Sequence, residues 1–285
     1  MSKAPLIIIG MHRSGTTMIT KLLEKLGLFV GDEKEVNSES VFFHNLNHWI
    51  MVQANSAWDN PVPEFFKNDF HNSNLKRVIE NHLKGFGRYK YLGKSRYFKY
   101  KSIRDLDFTW GWKDPVNTLN LEIWKAVFPE AKILHIYRNP VDIAESLRVR
   151  EHKVQGRFKL TYAKKIHEKL LTSRRLYNRS VKLFDIMEGI KLWEVYIEAA
   201  FRRKEELGGL WLDIKYEDFL DQPQAQLKTI IDFARLETDE NTINDLTKVI
   251  NNDRKFAFTQ DERLMKIYES IKNKELVKKL GYGDL

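Results

Sequence analysis

Leu6-Ile7-Ile8-Ile9-Gly10-Met11-His12-Arg13-Ser14-Gly15-Thr16-Thr17 decides the fold of this chain. The four apolar residues, three of them β-branched, read as a strand buried on both faces, and Gly10 ends it. From Thr16 onward Met18, Leu22, Leu23 and Leu26 recur at helical spacing, with Gly27 as a stop. Gly10 and Gly15 stand at the G-x-x-x-x-G spacing of a phosphate-binding loop. Such glycines let the backbone bend round an oxyanion, and the first N–H groups of the following helix point at it. Ser14, Thr16 and Thr17 add hydroxyl donors. A nucleoside-triphosphate loop continues with Gly-Lys. Here Thr16 follows Gly15, so the lysine that reaches the β- and γ-phosphates is missing and Arg13 supplies the positive charge. The plainer alternative is a turn in which Ser or Thr does no more than cap the helix.

Outward from this unit, Asp32 to Ser40 reads as loop. Val41 to Val52 reads as a helix with Phe42, Leu46, Trp49 and Ile50 on one face. Tyr89 to Lys101, aromatic and basic, reads as a surface excursion. Ala131 to Tyr137 is a second strand, with a helix expected from Val141, and Leu210 to Tyr216 is a third. Between the last two, Ile190, Trp193, Ile197 and Phe201 form a helical stripe. Strands alternating with helices predict an α/β fold, a parallel sheet flanked by helices. The C-terminal part, from about Gln222 to Leu280, reads as largely helical, with breaks at Thr238–Asn241 and Asn251–Asp253. A single domain over 1–285 is expected.

Composition narrows the function. The 285 residues are 42% hydrophobic and 31% charged, which excludes a disordered or collagen-like chain. The absence of cysteine excludes disulfide scaffolds, cysteine–metal clusters and thiol catalysis. No run approaches the ~18 apolar residues of a membrane span. Leu6 to Ile9 is shorter than a signal-peptide core of ~7–15 residues. The chain is therefore expected to start at Met1 and stay cytoplasmic. The net charge of +9 suggests an anionic ligand. Residues 155–182, within a basic helical insertion of about 151–187, carry nine lysines and arginines against Glu168. They form either a solvated helix face or an electrostatic wall that attracts an acidic substrate.

Arg138 closes the second strand, where ligands of open α/β sheets collect. Ser146 follows eight residues on, in the next helix. An Arg fork and a Ser hydroxyl can hold a second phosphate.

Together these segments resemble the sulfotransferases that use 3′-phosphoadenosine 5′-phosphosulfate (PAPS). Arg13-Ser14-Gly15-Thr16-Thr17 is similar to the family's 5′-phosphosulfate loop, and with His12 ahead of it most similar to bacterial members. Arg138-Asn139-Pro140 through Ser146 is similar to its 3′-phosphate motif. Gly111-Trp112-Lys113-Asp114-Pro115 places Lys113 where the family carries a lysine on the transferred sulfuryl group. Trp193-Glu194-Val195-Tyr196 resembles a recurrent helix motif, and Lys215-Tyr216-Glu217-Asp218-Phe219-Leu220 a segment whose tyrosine lies near the adenine. The order holds across residues 6–220. The resemblance implies a P-loop-like three-layer fold and in-line transfer of a sulfuryl group from PAPS to a hydroxyl or amine, leaving 3′-phosphoadenosine 5′-phosphate (PAP), without a metal. Arg13 and Lys113 would stabilise the charge that develops in such a transfer.

The acceptor needs a general base. Cytosolic small-molecule members place a histidine two residues after the lysine; Pro115 stands there in this chain. Other branches use a glutamate after the first helix, where this chain has Glu33, Glu35 and Glu39, with His44 just beyond. Glu39 ranks first because an apolar helix starts beside it, and Glu33 second; Glu39 as a helix N-terminal charge is the alternative. The family's C-terminal Arg-Lys-Gly segment is matched only loosely by Asn252 to Phe256, and Arg254 reads as a surface charge. Trp124 and Trp193 read as core, whereas Trp58 could stack on a sugar or aromatic acceptor. The acceptor is expected to be a small molecule or a glycan, with anionic ones among the candidates, and no nucleic-acid partner is expected. The rival readings are a P-loop kinase or nucleotide hydrolase requiring Mg²⁺, a polyanion binder built on the basic helix, and a member that binds nucleotide without turnover.

Overall fold

The computed structural model describes residues 2–156 and 179–285. Most of the basic stretch 155–182 lies outside the described residues. The chain divides into two compact units, Met1–Arg138 with Tyr196–Lys255, and Asn139–Val195 with Phe256–Leu285.

The first unit holds a four-stranded parallel sheet. Its strands are β1 (Leu6–Ile9), β2 (Gly111–Lys113), β3 (Lys132–Tyr137) and β4 (Trp211–Lys215), in the order β2-β1-β3-β4. Ile7 lies opposite both Trp112 and Ile133, and Leu134 opposite Leu212. Side chains of a strand alternate between faces, and here neither face is wet. Ile7, Ile9, Trp112 and Ile133 join a core with α2 (Val41–Gln53), α3 (Asp69–Lys84), α4 (Tyr89–Lys99) and α5 (Leu121–Val127). Leu6, Ile8, Leu134, Ile136 and Ile214 join a second core with α1 (Thr16–Lys25) and the helix Pro223–Ala234. Double burial explains why β1 reads as an unbroken apolar run. The result is the expected three-layer α/β arrangement.

The structure adds one strand and corrects two expectations. The added strand is β2, whose three residues at a sheet edge carry no legible periodicity. Tyr89 to Lys101 is not an excursion: Tyr89–Lys99 is helical, kinked at Gly93, with Tyr91 and Leu92 fully buried and the Tyr91 hydroxyl donating to Gly111 O at 2.7 Å. The kink scrambles the helical period that would have revealed it. The break expected at Thr238–Asn241 lies earlier, over residues 235–239, since Asp239 caps a helix over Glu240–Thr247 by accepting from Thr242 N.

The second unit contains α6 (Pro140–Gly156) and the helices Glu262–Ile271 and Glu275–Lys279. Asp142 accepts from Phe258 N at 3.0 Å, and Glu145 pairs with Arg263 at 3.1 Å. Among the described residues no helix is long and apolar enough to cross a membrane.

An ion-pair cluster ties β3 to β4. Asp213 receives His135 Nδ1 at 2.8 Å and Lys204 Nζ at 2.6 Å. Burial alone would raise the Asp213 carboxyl; the hydrogen bond and charge of His135, with the bond from Lys204, outweigh it and hold the carboxyl at about 2. A carboxyl lowered on folding stabilises above its ordinary value, 3.8, and loses that contribution as pH falls towards 2. Asp213→Asn is therefore expected to remove about 2 kcal/mol at neutral pH. It should also flatten the acid limb of stability between these two pH values, read by urea unfolding across pH.

Candidate active site

Each strand delivers a site residue at its C-terminal end: the Gly10 loop from β1, Lys113 and Asp114 from β2, Arg138 from β3, and Tyr216 from β4. β1 connects towards β2, whereas β3 connects towards β4. The crevice between β1 and β3 is thus the switch point at which open α/β sheets bind ligands.

The loop is shaped by close approach. Gly10 adopts φ 139°, and a Cβ there would lie 2.2 Å from Ile136 O. Gly15 adopts φ 96°, and a Cβ would lie 2.4 Å from the Tyr216 ring. Only glycine fits either position. Gly10 N donates to Thr118 Oγ1 at 2.9 Å, a partner that nothing in the sequence signalled. Gly15 is itself the N-cap of α1, with no side-chain cap. The alternative in which Ser or Thr only caps the helix is therefore excluded. Ser14 is fully buried, and its Oγ has no hydrogen-bond partner among the described residues. Thr16 is buried, and Thr17 Oγ1 donates to Asn37 O at 3.3 Å.

Three arginines converge on this loop. Arg13 takes φ 74°, and its guanidinium is held below its ordinary value first by burial, then by the charges of Arg254 and Arg138. Arg138 is buried, lies 4.8 Å over the Tyr216 ring and donates to Arg254 O at 2.8 Å. Arg254, which the sequence left as a surface charge, is exposed yet belongs to this cluster. Its signal was positional: it sits near the family's C-terminal basic segment. Packed like charges destabilise one another, and an anion relieves them. Ser146 lies on α6 in the second unit, half-buried.

A second group lies at the end of β2. Lys113 is fully buried, and its Nζ donates to Glu39 Oε1 at 2.5 Å and to Asn37 O at 2.8 Å. Two residues selected separately from the sequence are thereby brought into contact. Glu33 is exposed; its backbone pins the loop through Glu33 N to Lys90 O and Val41 N to Glu33 O. His44 Nδ1 meets Asp114 Oδ2 at 2.9 Å. The hydrogen bond to Asp114 raises His44 above its ordinary value, burial opposes this, and the charges of Asp114, Glu39 and Glu35 add to the rise. Buried amides hold α2 in register with β2. Asn47 bonds Asn117, Asn120 and Trp124, and Trp112 Nε1 donates to Asn117 Oδ1 at 2.9 Å. Trp58 is half-buried and packs edge-on against His12 at 4.8 Å. Trp124 and Trp193 are core, as expected.

The Sulfotransferase family profile matches residues 5–240, and the chain belongs to that family. Membership makes it a transferase of the sulfuryl-transfer class. Similar solved structures are the sulfotransferase STF9 of Mycobacterium avium (14% identity, 87% of this chain and 68% of that one, TM-score 0.44), the sulfotransferase domain of the Synechococcus olefin synthase (17%, 95% and 88%, 0.45) and a sulfotransferase of Alicyclobacillus acidocaldarius (14%, 88% and 92%, 0.43). No curated protein matches the chain. The assignment rests on the profile match.

Proposed function

We propose that the chain transfers a sulfuryl group from PAPS to a hydroxyl or amine acceptor, with a small molecule or a glycan as the acceptor class. The observation that carries the donor assignment is the anion cradle without a P-loop lysine. It combines the buried Ser14 hydroxyl, which has no hydrogen-bond partner among the described residues, a Gly10–Gly15 bend that admits no Cβ, and the Arg13, Arg138 and Arg254 cluster. These residues suit a polyanionic nucleotide bearing phosphate at two positions. PAPS supplies the activated sulfuryl group and a bisphosphate leaving group.

The chain's own residues have distinct tasks. The loop N–H groups, Ser14, Thr16, Thr17 and Arg13 hold the 5′ end, Arg138 holds the 3′-phosphate, and Tyr216 orients the base. Lys113 offers a fixed ammonium to developing charge. Glu39, hydrogen-bonded to that ammonium, is the general base, and the ion pair fixes its position. Exposed Glu33 is the lesser candidate.

The test is calorimetric. PAP is expected to bind without Mg²⁺ and more tightly than ATP with Mg²⁺; preference for ATP would return the loop to a kinase or hydrolase.

One observation favours a second base. His44 is half-exposed, and its bond to Asp114 leaves Nε2 for an acceptor. A histidine raised by its carboxylate keeps its proton to higher pH. If His44 is the base, kcat/KM climbs as pH passes that raised value, and His44→Gln abolishes the limb and costs about 10²–10⁴-fold. If Glu39 is the base, the limb survives in His44→Gln and activity collapses in Glu39→Gln.

A further inference from the structure

The exposed side chains of α4 have no role assigned above, and their composition is one-sided. Residues 84–104 carry eight lysines and arginines and no aspartate or glutamate. The arginines are used by the fold. Arg88 lies 4.1 Å over the Tyr97 ring, Arg96 lies 4.3 Å over Phe29, and Arg104 pairs with Glu80 at 3.0 Å. What faces water is lysine and aromatic ring. Lys90, Lys94 and Lys99 are exposed, and of these only Lys99 approaches a carboxylate, Asp107 at 4.0 Å, among the described residues. Phe86 is 89% exposed, Phe98 79% and Tyr89 45%. The rings are continuous: Tyr89 packs on Tyr97 at 5.6 Å, and Tyr97 on Phe98 at 5.4 Å.

Largely solvated phenylalanines cost free energy unless another phase takes them. Rings without polar atoms, set among lysines on long stems, match the composition of surfaces that lie in a bilayer interface. A sulfated polymer or nucleic acid is better held by arginine forks, and those of Arg88, Arg96 and Arg104 are half-buried and already engaged by rings, carbonyls and Glu80. We infer that the Phe86–Lys99 surface docks on an anionic lipid bilayer, its lysines meeting headgroup phosphates and Phe86 and Phe98 entering the interface. The surface is bonded to the site: the carbonyls of Tyr91 and Lys90 accept from Asp32 N at 2.8 Å and Glu33 N at 2.9 Å, on the loop that ends in Glu39.

The experiment is co-sedimentation of the full chain with phosphatidylcholine vesicles, with and without phosphatidylglycerol. The variants are Phe86→Ser/Phe98→Ser and Lys90→Glu/Lys94→Glu, each checked for an unchanged thermal midpoint. The expected result is binding only to vesicles containing phosphatidylglycerol, weakened about tenfold or more in both variants. Retention on heparin should be reduced by the lysine pair alone. Equal binding to neutral vesicles overturns the inference, and so does wild-type binding by both variants. Loss with the lysine pair but not the phenylalanine pair also overturns it, since it marks a polyanion surface.

Discussion

Lys113→Ala is expected to lower kcat about 10²–10³-fold, the loss seen when one fixed donor to developing charge is removed. It should also destabilise the protein by about 3–5 kcal/mol, because Glu39 is left as a buried charge without its partner. Glu39 is 9% exposed at its side chain, and Lys113 is its ion-pair partner among the described residues. The two effects separate in a double variant. Lys113→Met with Glu39→Gln removes both charges and should recover most of the stability, while kcat stays low. Turnover is read as PAP release with the best acceptor from a screen, and stability by denaturant unfolding. A stable single variant with near wild-type turnover would show that the pair is an incidental contact of the fold.

Arg138→Ala is expected to weaken PAP binding about 10–150-fold, the range for losing a hydrogen bond to a charged group. The side chain is already desolvated, stacked on Tyr216 and fixed through Arg254 O, so little ordering remains to be done on binding. Arg138→Lys should not restore affinity, because an ammonium neither stacks nor forks. Arg13→Ala should act in the same direction. It also relieves the mutual repulsion in the cluster, so its stability should rise slightly while its affinity falls. Titration calorimetry at fixed salt reads both. Affinity unchanged in Arg138→Ala would remove the 3′-phosphate assignment and leave this arginine as a structural pillar beneath Tyr216.

Much of the first unit was written in local sequence. β1 was legible because a strand buried on both faces needs an unbroken apolar run, and α1 because its apolar positions recur at helical spacing. β3 and β4 were legible for similar reasons. The glycine spacing identified the loop because positive φ and close approach leave no other residue type acceptable.

Other features depended on residues far apart in the chain. β2 exists only because three residues find β1 as a neighbour. Helix α4 was hidden by the kink at Gly93. The sequence proposed Lys113 and Glu39 separately, 74 residues apart; their 2.5 Å contact needs α2 locked to β2 by the Asn47 and Asn117 amides. The same holds for His44 with Asp114, for Thr118 beneath Gly10, and for Arg254 beside Arg13 and Arg138. Sequence alone determined which residue types could bend round an anion and which segments could be buried, because those are properties of single residues and their periods. Only tertiary structure decided which charges meet, because a distance between remote side chains is set by packing, which no local pattern records.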